Sequence, residues 1–264
     1  MTRSYKLHQG ILWKNIDSSR VDQNIAEEVP VSLVYKGASH VVMMASPCDL
    51  KDFGLGFSLS EGIIETPEEL LFIDVAQSDQ GYIIDMDIPD EAYKTIANRR
   101  RYLSGRTGCG LCGVESLEEA VPKLKAITGD IRIKPEIIYR AFEALHTLQP
   151  VKQATGAVHG AAWCSHDGEI LDIREDAGRH NALDKLIGAM SKVGEDPTKG
   201  FCLITSRCSY EMVQKAVQMD MPILAAISAP TTLAIDMAQN SNLTLLARVR
   251  EKTFTIFTHR HRIN

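Results

Sequence analysis

The chain has 264 residues, of which 44% are hydrophobic, so it is long enough for one large domain or two unequal ones. Its 29 Lys and Arg residues against 34 Asp and Glu residues give a net charge of −5, which argues against a protein that coats nucleic acid or a membrane surface. No apolar run approaches the ~20 residues of a membrane span. The first residues show no apolar signal segment, so we expect a cytoplasmic location.

The first part of the chain is predicted to form an arm followed by a small α+β domain. Residues 1–26 show no usable periodicity, and we expect a loosely held arm there. Residues 29–45 have the pattern of a β-hairpin that turns around Gly37. Residues 49–64 place Phe53 and Phe57 at helical spacing and contain two glycines, which predicts a helix packed closely against a neighbour.

The α+β domain is predicted to span residues 27–105. Residues 82–88 alternate apolar and acidic side chains, as a half-exposed strand does, and Pro89 with two acidic residues opens a helix. Residues 106–130 form the next predicted unit, a glycine-rich loop with two cysteines and a connecting helix. That helix is predicted to begin at the capping box that starts with Ser116.

Residues 131–264 are predicted to form an α/β domain. Short apolar strands alternate with amphipathic helices, which predicts a largely parallel sheet with helices on its faces. The predicted helices are 135–148, 178–193, 210–219 and 231–239, and the predicted strands are 158–163, 169–175, 201–205, 223–227, 243–249 and 254–257.

The motif with the clearest chemistry is the C-x-x-C pair of Cys109 and Cys112, which lies among glycines. Two intervening residues let both sulfurs meet one partner, which is the other thiol, a metal or a transferred sulfur atom. Arg106 and the basic residues 99–101 precede the pair, and positive charge favours the reactive thiolate.

Three other readings of the pair fit the sequence less well. Structural zinc needs four ligands, and the chain offers no second C-x-x-C and only the weak candidates His259 and His261. A thioredoxin-like motif should follow a buried strand, whereas the residues before Gly105 are polar. A base deaminase needs H-x-E and P-C-x-x-C, and the chain has neither. The pattern favours a loop cysteine that carries sulfur as a persulfide, and we expect no bound metal.

The other four cysteines are predicted to be inert. Cys48, Cys164 and Cys202 lie in or beside apolar segments, where a thiol acts as a small apolar side chain. Cys208 lies in a polar loop, and we predict the same role for it.

A phosphate site is predicted where three strands lead into helices. Ligands of open α/β sheets bind beyond the carboxyl ends of the strands, and free N–H groups at helix starts bind anions. Helix capping alone explains any one of these loops, but it does not explain their arginines. The polar residues of the three loops that we assign to this site are Arg179, Ser206, Arg207, Ser209 and Thr231.

Two histidines and one basic segment near these loops allow alternatives. His180 lies in a charged loop and is predicted to bind a ligand or to take part in catalysis. His159 lies in an apolar strand and is predicted to be a core histidine. Residues 248–253 fit a solvated turn between strands, but their three cations could equally bind a diphosphate.

Several segments together resemble the formate dehydrogenase accessory protein family FdhD. The resemblance runs from about residue 27 to the C-terminus. It is carried by EEVPVSLVYKGASHVVMMASP, GFSLSEGIIE, RTGCGLCGVESL, REDAGRHNALDKLIG, SRCSYEMVQKAV and SAPTTLAIDMA. The C-x-x-C alone would not identify the family, but the combination is specific.

The resemblance implies a sulfurtransferase that acts as a sulfur carrier. Such proteins take persulfide sulfur from a cysteine desulfurase onto a loop cysteine. They bind the molybdenum bis(molybdopterin guanine dinucleotide) cofactor as substrate, sulfurate its metal and pass it to apo formate dehydrogenase. A guanine nucleotide would mimic that cofactor. The alternative function is a cofactor-binding chaperone that transfers no sulfur.

The resemblance also implies a fold, an assembly and site residues. The C-terminal domain is expected to be a three-layer, cytidine deaminase-like α/β domain without the deaminase zinc ligands, and the protein is expected to be a homodimer. Cys109 would bear the persulfide and Cys112 would be its partner. The residues that match the cofactor-contacting stretch are Arg248, Val249, Arg250, Glu251, Lys252 and Thr253.

Overall fold

The computed structural model of the chain describes residues 4–103 and 124–264. It begins with a two-stranded antiparallel ribbon of β1 (Tyr5–Lys14) and β2 (Asp17–Ala26). Nearly all residues of this ribbon are exposed. The sequence analysis missed the pairing, because backbone hydrogen bonds hold the strands together and neither face is buried enough to impose an apolar period.

A four-stranded sheet follows, in the order β4-β3-β6-β5. Its strands are β3 (Val29–Tyr35), β4 (Ala38–Ala45), β5 (Phe72–Ser78) and β6 (Gly81–Asp87). Helix α1 (Leu50–Ser60) packs on one face, where a Cβ added to Gly54 would lie 2.8 Å from Ile84. The chain then enters a short 3₁₀ turn (Pro67–Glu69) before β5 and helix α2 (Asp90–Leu103) after β6.

The predicted hairpin corresponds to β3 and β4, and the predicted helix that follows it to α1. The predicted strand at 82–88 corresponds to β6, and the helix predicted to start after it to α2, so these predictions are confirmed. Strand β5 was not predicted, because it lies at the edge of the sheet and four of its last five residues are not strong strand formers. The connecting helix that is predicted to start at Ser116 lies outside the described residues.

The second unit is a six-stranded sheet in the order β12-β11-β10-β9-β7-β8. Its strands are β7 (His159–Ser165), β8 (Ile170–Asp176), β9 (Gly200–Ile204), β10 (Ile223–Ala226), β11 (Thr244–Arg250) and β12 (Thr253–Ile256). Its helices are α3 (Pro135–Thr147), α4 (Pro150–Thr155), α5 (Arg179–Lys192), α6 (Tyr210–Gln218) and α7 (Thr232–Asn240). All the predicted elements of this region are present, and the short helix α4 is an addition.

Helices cover both faces of this sheet. Helix α3 packs on one face through Ile138, Phe142 and Leu145. Helices α5, α6 and α7 pack on the other face, in an apolar core that also contains α1 and the inner residues of the four-stranded sheet. The α/β class is therefore confirmed, and the predicted domain boundaries stay predictions. In the described part of the chain, no helix has the length and apolar character needed to cross a membrane.

The expected largely parallel sheet is only partly correct. Strands β9, β10 and β11 are parallel, and the crossover helices α6 and α7 connect them. Strand β7, however, is antiparallel to both β9 and β8, and β12 is antiparallel to β11. Strands β7 and β8 follow each other through a short turn at residues 166–169, which can only return the chain in the opposite direction.

Close packing of α1 against α5 joins the two units. A Cβ added to Gly56 would lie 1.7 Å from the carbonyl oxygen of Asp184, and one added to Gly188 would lie 1.9 Å from that of Asp52. Only glycine permits such an approach of two helix backbones. The expectation that the glycines of the first helix mark a close contact with a neighbour is confirmed.

Candidate functional site

The three loops that the sequence assigns to a phosphate site meet at one edge of the six-stranded sheet. The main-chain N–H of Cys208 donates to the oxygen of Ala229 at 3.2 Å, and that of Thr231 donates to the oxygen of Cys208 at 3.0 Å. The N–H of Arg248 donates to the main-chain oxygen of Ser228 at 3.2 Å, so the end of β11 joins the same edge. We call residues 177–180, 205–209, 227–231 and 248–253 the carboxyl edge.

Glu211 connects two of these loops. Its Oε2 lies 2.9 Å from Nε2 of His180, 4.0 Å from Nη2 of Arg179 and 3.3 Å from Oγ of Ser209. The hydrogen bond with His180 lowers the pKa of Glu211, against the opposing effect of burial. Arg179 and His180 begin α5 and Glu211 lies in the first turn of α6, so the two helix starts share a network of charges.

His159 lies at the same edge rather than deep in the core. It is the first residue of β7, is half-buried, and stands opposite Asp176 in the sheet. Burial lowers its pKa, and the charges of Lys152 and Arg179 lower it further. The imidazole therefore lies beside the positive charges of Lys152 and Arg179, which is the electrostatic setting of an anion site.

Sequence reasoning missed Lys152 and Glu211. Lys152 is brought to the edge because Glu175 accepts hydrogen bonds from the main-chain N–H groups of Val151 and Lys152, both at 2.9 Å. An acidic residue in a first helical turn is ordinary, so Glu211 gave no separate signal.

The predicted hydroxyl residues differ in what they do. Thr231 caps α7, since its Oγ1 accepts from the N–H of Ala234 at 3.3 Å. Ser209 occupies the N-cap position of α6 without a side-chain cap bond. Ser206 is buried, and its Oγ donates to the oxygen of Arg207, whose own side chain is exposed. Capping thus explains Thr231 but not Ser209 or Arg207.

The segment 248–253 comprises the end of β11, the turn at residues 251–252 and the first residue of β12. Arg248 and Arg250 are exposed, and Nη1 of Arg250 donates to the main-chain oxygens of Ile227 at 2.7 Å and Val249 at 2.8 Å. With Ser228 and Thr253 the two arginines line a depression of about 580 Å³.

Val249 differs from its neighbours in this segment. Its side chain is completely buried in the core, so any contact of Val249 with a ligand would be made by its main chain. Glu251 and Lys252 are exposed beside Arg250, where they line a second depression of about 610 Å³.

A further groove, of about 570 Å³, lies between the two units and is mainly apolar. Cys48 and Glu175 line it, but none of the predicted cofactor-binding residues does. We therefore place the candidate site at the carboxyl edge, where the cations and helix starts converge.

Four of the six cysteines fall within the described residues, and burial makes each a poor nucleophile. Cys164, Cys202 and Cys208 are buried, and burial raises the pKa of each thiol, for Cys208 to about 12. Cys48 is half-buried, and burial raises its pKa although Lys185 opposes the shift. This environment agrees with the predicted filler role of these four. Cys109 and Cys112 lie outside the described residues.

A clamp of buried polar groups holds the first loop of the carboxyl edge. Asp176 is fully buried; its Oδ1 accepts from the N–H of Gly178 at 2.7 Å and from Nδ2 of Asn181 at 3.0 Å. Its Oδ2 accepts from the N–H of Ser46 at 2.9 Å and pairs with Nζ of Lys185 at 2.6 Å. The junction after β4 therefore fixes the start of α5.

Metal-ligating side chains do not cluster in the described ranges, 4–103 and 124–264. No group of three or more His, Cys, Asp or Glu residues there is arranged to hold a metal ion.

Comparison with known proteins gives consistent results. The family model described as the FdhD/NarQ family matches residues 26–264. A protein of Cupriavidus necator named sulfur carrier protein FdhD is 45% identical over 251 residues, which are 95% of this chain and 87% of that protein. A protein of the same name from Xanthomonas campestris pv. campestris is 45% identical over 247 residues, covering 94% of this chain and 88% of that one.

A solved structure supports the fold. The crystal structure of a protein of Desulfotalea psychrophila, named as a formate dehydrogenase accessory protein, superimposes with a TM-score of 0.77 at 22% identity. The match covers 99% of this chain and all of that one. Because the family model spans nearly the whole chain and the relatives exceed 40% identity, the protein belongs to the FdhD/NarQ family.

Proposed function

We propose that this protein is a sulfur carrier that takes persulfide sulfur from a cysteine desulfurase and transfers it to the cofactor of formate dehydrogenase. The observation that carries the proposal is the alignment of relatives named sulfur carrier proteins with 94–95% of the chain. A sulfurtransferase needs an accessible, reactive thiol, and the two cysteines of the C-x-x-C motif fit that need.

The environments of the other cysteines support the choice of thiol. Cys164, Cys202 and Cys208 are buried with raised pKa values, so neither a protein donor nor a base can easily reach them. Cys109 and Cys112 instead follow a run of arginines in the sequence and are flanked by glycines. We assign the persulfide to Cys109.

The first step is a thiol exchange. The Cys109 thiolate attacks the outer sulfur of the persulfide on the donor enzyme, and the sulfur–sulfur bond of that persulfide breaks. The donor cysteine leaves as a thiolate, and Cys109 then carries the extra sulfur. The exchange needs no external oxidant or reductant.

The second step releases sulfur toward the metal of the bound substrate. The Cys112 thiolate attacks the inner sulfur of the Cys109 persulfide, so a disulfide forms and the outer sulfur leaves as hydrosulfide. The two thiols supply the two electrons, and a dithiol reductant then restores them.

The carboxyl edge is the proposed binding site for the molybdenum bis(molybdopterin guanine dinucleotide) substrate. The diphosphate groups of this substrate suit the arginines of the edge, because one guanidinium group can bind two phosphate oxygens at once. Arg179 begins α5 and Arg207 lies in the loop before α6, and Arg248 and Arg250 come from the end of β11. The half-buried His159 and His180 add imidazole rings to this surface.

The remaining properties come from the family resemblance. We propose a cytoplasmic homodimer that receives sulfur from a cysteine desulfurase and passes the cofactor to apo formate dehydrogenase. A cytidine deaminase-like topology of the six-stranded domain belongs to the same proposal, and it agrees with the absence of His-x-Glu from the sequence.

Mass spectrometry tests the sulfur step. The purified chain is incubated with a cysteine desulfurase and cysteine, then digested with trypsin, which leaves Cys109 and Cys112 together on the peptide 107–123. We expect one added sulfur on this peptide, retained in Cys112→Ala and lost in Cys109→Ala. Cys48→Ala is the matched control and should keep the label.

Formate dehydrogenase activity distinguishes the two candidate functions. In cells that depend on this protein, Cys109→Ala should abolish activity while the circular dichroism spectrum stays that of the wild type. A chaperone without sulfur transfer would instead tolerate Cys109→Ala and fail when Arg207 and Arg250 are replaced by Ala. Full activity of the cysteine variant would overturn the proposal.

A further inference from the structure

The cations of the carboxyl edge include two groups that lie at different strands. Arg248 and Arg250 end β11 and form the β11 group, whereas Lys152 and Arg179 lie beside His159 at the start of β7 and form the β7 group with it. Strands β9 and β10 separate β7 from β11. Three inter-strand spacings of ~4.8 Å place the two groups roughly 14 Å apart. A diphosphate group is much shorter than this distance, so a single one cannot bind both groups.

The positive charges of the β7 group are poorly compensated by the described residues. Nη2 of Arg179 lies 4.0 Å from Oε2 of Glu211, but that oxygen lies closer to Nε2 of His180, at 2.9 Å. Nε of Arg179 is buried, and no hydrogen-bond acceptor of residues 4–103 or 124–264 pairs with it. The ammonium group of Lys152 forms no ion pair within the same ranges. Two half-buried cations without a bound acid create a positive potential that an anion can neutralise.

The other acids near His159 are engaged elsewhere. Asp176 stands opposite His159 in the sheet, but it pairs with Lys185 at 2.6 Å. Glu175 accepts a hydrogen bond from the main-chain N–H of Lys152 at 2.9 Å. This carboxylate therefore fixes the backbone of Lys152 and leaves its ammonium group available to a ligand.

A buried amide beneath the β7 group also lacks a partner. The side chain of Gln149 is only 1% exposed. A Cβ added to Gly160 would lie 2.3 Å from Nε2 of Gln149, so the amide reaches the residue that follows His159. The nearby Glu175 can accept only from the amide nitrogen, which leaves the amide oxygen without a donor in the described part of the chain. Since buried polar groups are nearly always paired, the unpaired oxygen indicates that a bound water or ligand completes this site.

We propose that Lys152, Arg179 and His159 form a second anion subsite of the carboxyl edge, which binds a phosphate-type oxyanion independently of Arg248 and Arg250. Nε and one Nη of Arg179 would donate to two oxygens of the anion, Lys152 would supply a further charge, and the ring of His159 would contribute an N–H donor. The subsite rests on the proposed cofactor site only for the source of the oxyanion, which is either the diphosphate of a nucleotide or a free phosphate ion.

Proton NMR of His159 tests the subsite, because a bound anion changes the charge beside its ring. Inorganic phosphate is titrated into the full-length chain at low ionic strength and constant pH, and the C2–H signal is identified by its loss in His159→Asn. We expect a saturable shift of this signal. Lys152→Gln and Arg179→Gln should each raise the half-saturating phosphate concentration at least tenfold, and Lys152→Arg should keep it within about threefold of the wild type.

Two further variants separate the subsite from bulk charge and from the β11 group. Lys199→Gln removes a cation just before β9, at the opposite end of the sheet, and should change the half-saturating concentration less than twofold. Arg250→Ala should also change it less than twofold, and circular dichroism checks the fold of each variant. A loss in Lys199→Gln or Arg250→Ala as large as that in Lys152→Gln would overturn the proposal. A wild-type signal that neither phosphate nor GDP shifts would overturn it as well.

GDP identifies the source of the oxyanion. A shift of the His159 signal by GDP that is lost in Lys152→Gln assigns the subsite to the diphosphate of a nucleotide, and a shift by phosphate alone assigns it to a free phosphate ion. Calorimetric binding of GDP without any shift of this signal would overturn the second subsite but leave the proposed cofactor site in place. A phosphate shift in a chain that does not bind GDP would support the subsite and count against the cofactor site.

Discussion

Two buried lysine–aspartate pairs, each with one member on helix α5, have similar chemistry but different surroundings. Lys185 and Asp176 are 2.6 Å apart beneath the carboxyl edge, and Lys215 and Asp184 are 2.9 Å apart near the middle of the helix. Both pairs connect the C-terminal sheet domain to the N-terminal unit, through Ser46 in the first case and Ser60 in the second.

The difference is in what each pair positions. Asp176 also accepts from the N–H of Gly178, so it orients the loop that carries Arg179 and His180. Asp184 contacts only groups within the interface between α1, α5 and α6. The first pair should therefore affect ligand binding as well as stability, and the second should affect stability alone. Equal burial does not imply an equal role.

The largest expected effect is on stability, from Asp184→Ala. Burial alone would lower the pKa of Lys215, but Asp184 and Glu61 raise it well above its ordinary value, so the ammonium stays charged in the interior. Removing Asp184 leaves that charge with only Glu61, which costs about 3 kcal/mol of unfolding free energy. Urea denaturation measures the loss.

Glu91→Ala is the matched control for this loss. It removes the acid of the exposed pair with Lys94, 2.7 Å away, and should cost less than about 0.5 kcal/mol. Similar losses in the two variants would show that burial of the Lys215 pair contributes nothing.

The next effect is on ligand binding, from Asp176→Asn compared with Asp184→Asn. An amide offers one acceptor oxygen where Asp176 uses two, so one N–H donor of the clamp would face the amide nitrogen. We expect about tenfold weaker binding of GDP to Asp176→Asn, roughly 1.4 kcal/mol. Binding to Asp184→Asn should change less than twofold at a temperature where both variants are folded.

Isothermal titration calorimetry distinguishes the outcomes. Equal weakening in both variants would show that Asp176 acts through general stability and does not position the loop. Failure of the wild type to bind GDP would count against the proposed cofactor site itself, not against the clamp.

The smallest effect is expected at Glu211, which is only partly buried. Because its pKa is lowered from 4.5 in the folded state, its stabilising contribution is complete above pH 4.5 and is lost as the pH falls below that value. Its exposure limits this contribution to less than about 1 kcal/mol. Thermal melts from neutral pH down through pH 4 should show a smaller fall in Tm for Glu211→Gln than for the wild type.

The sequence predicted most elements of the C-terminal sheet domain. Helices such as α3 and α5 carry apolar residues at helical spacing, and strands such as β9 and β10 are short uniform apolar runs, so each pattern follows directly from burial. The ribbon and β5 were missed because they are exposed or at an edge, where burial imposes no period.

The candidate site was predicted in part. The polar loops at 205–209 and 228–232 could be placed on one edge because strands that alternate with helices end on the same side. Glu211, Lys152 and the Asp176 clamp could not be predicted, since each depends on a contact between segments far apart in the chain. The burial of Val249 could not be predicted either, because the pleat of β11 turns its side chain into the core.

By itself the sequence determined the α/β class, the family and the position of the C-x-x-C pair proposed to carry sulfur, because these depend on residue type and on local spacing. Only the tertiary structure decided which charges converge at the carboxyl edge, which cysteines are sealed from solvent and which apolar faces stay open. Those properties depend on which surfaces pack together and exclude water from each other. Such contacts join residues that are far apart in the sequence, so local patterns do not predict them.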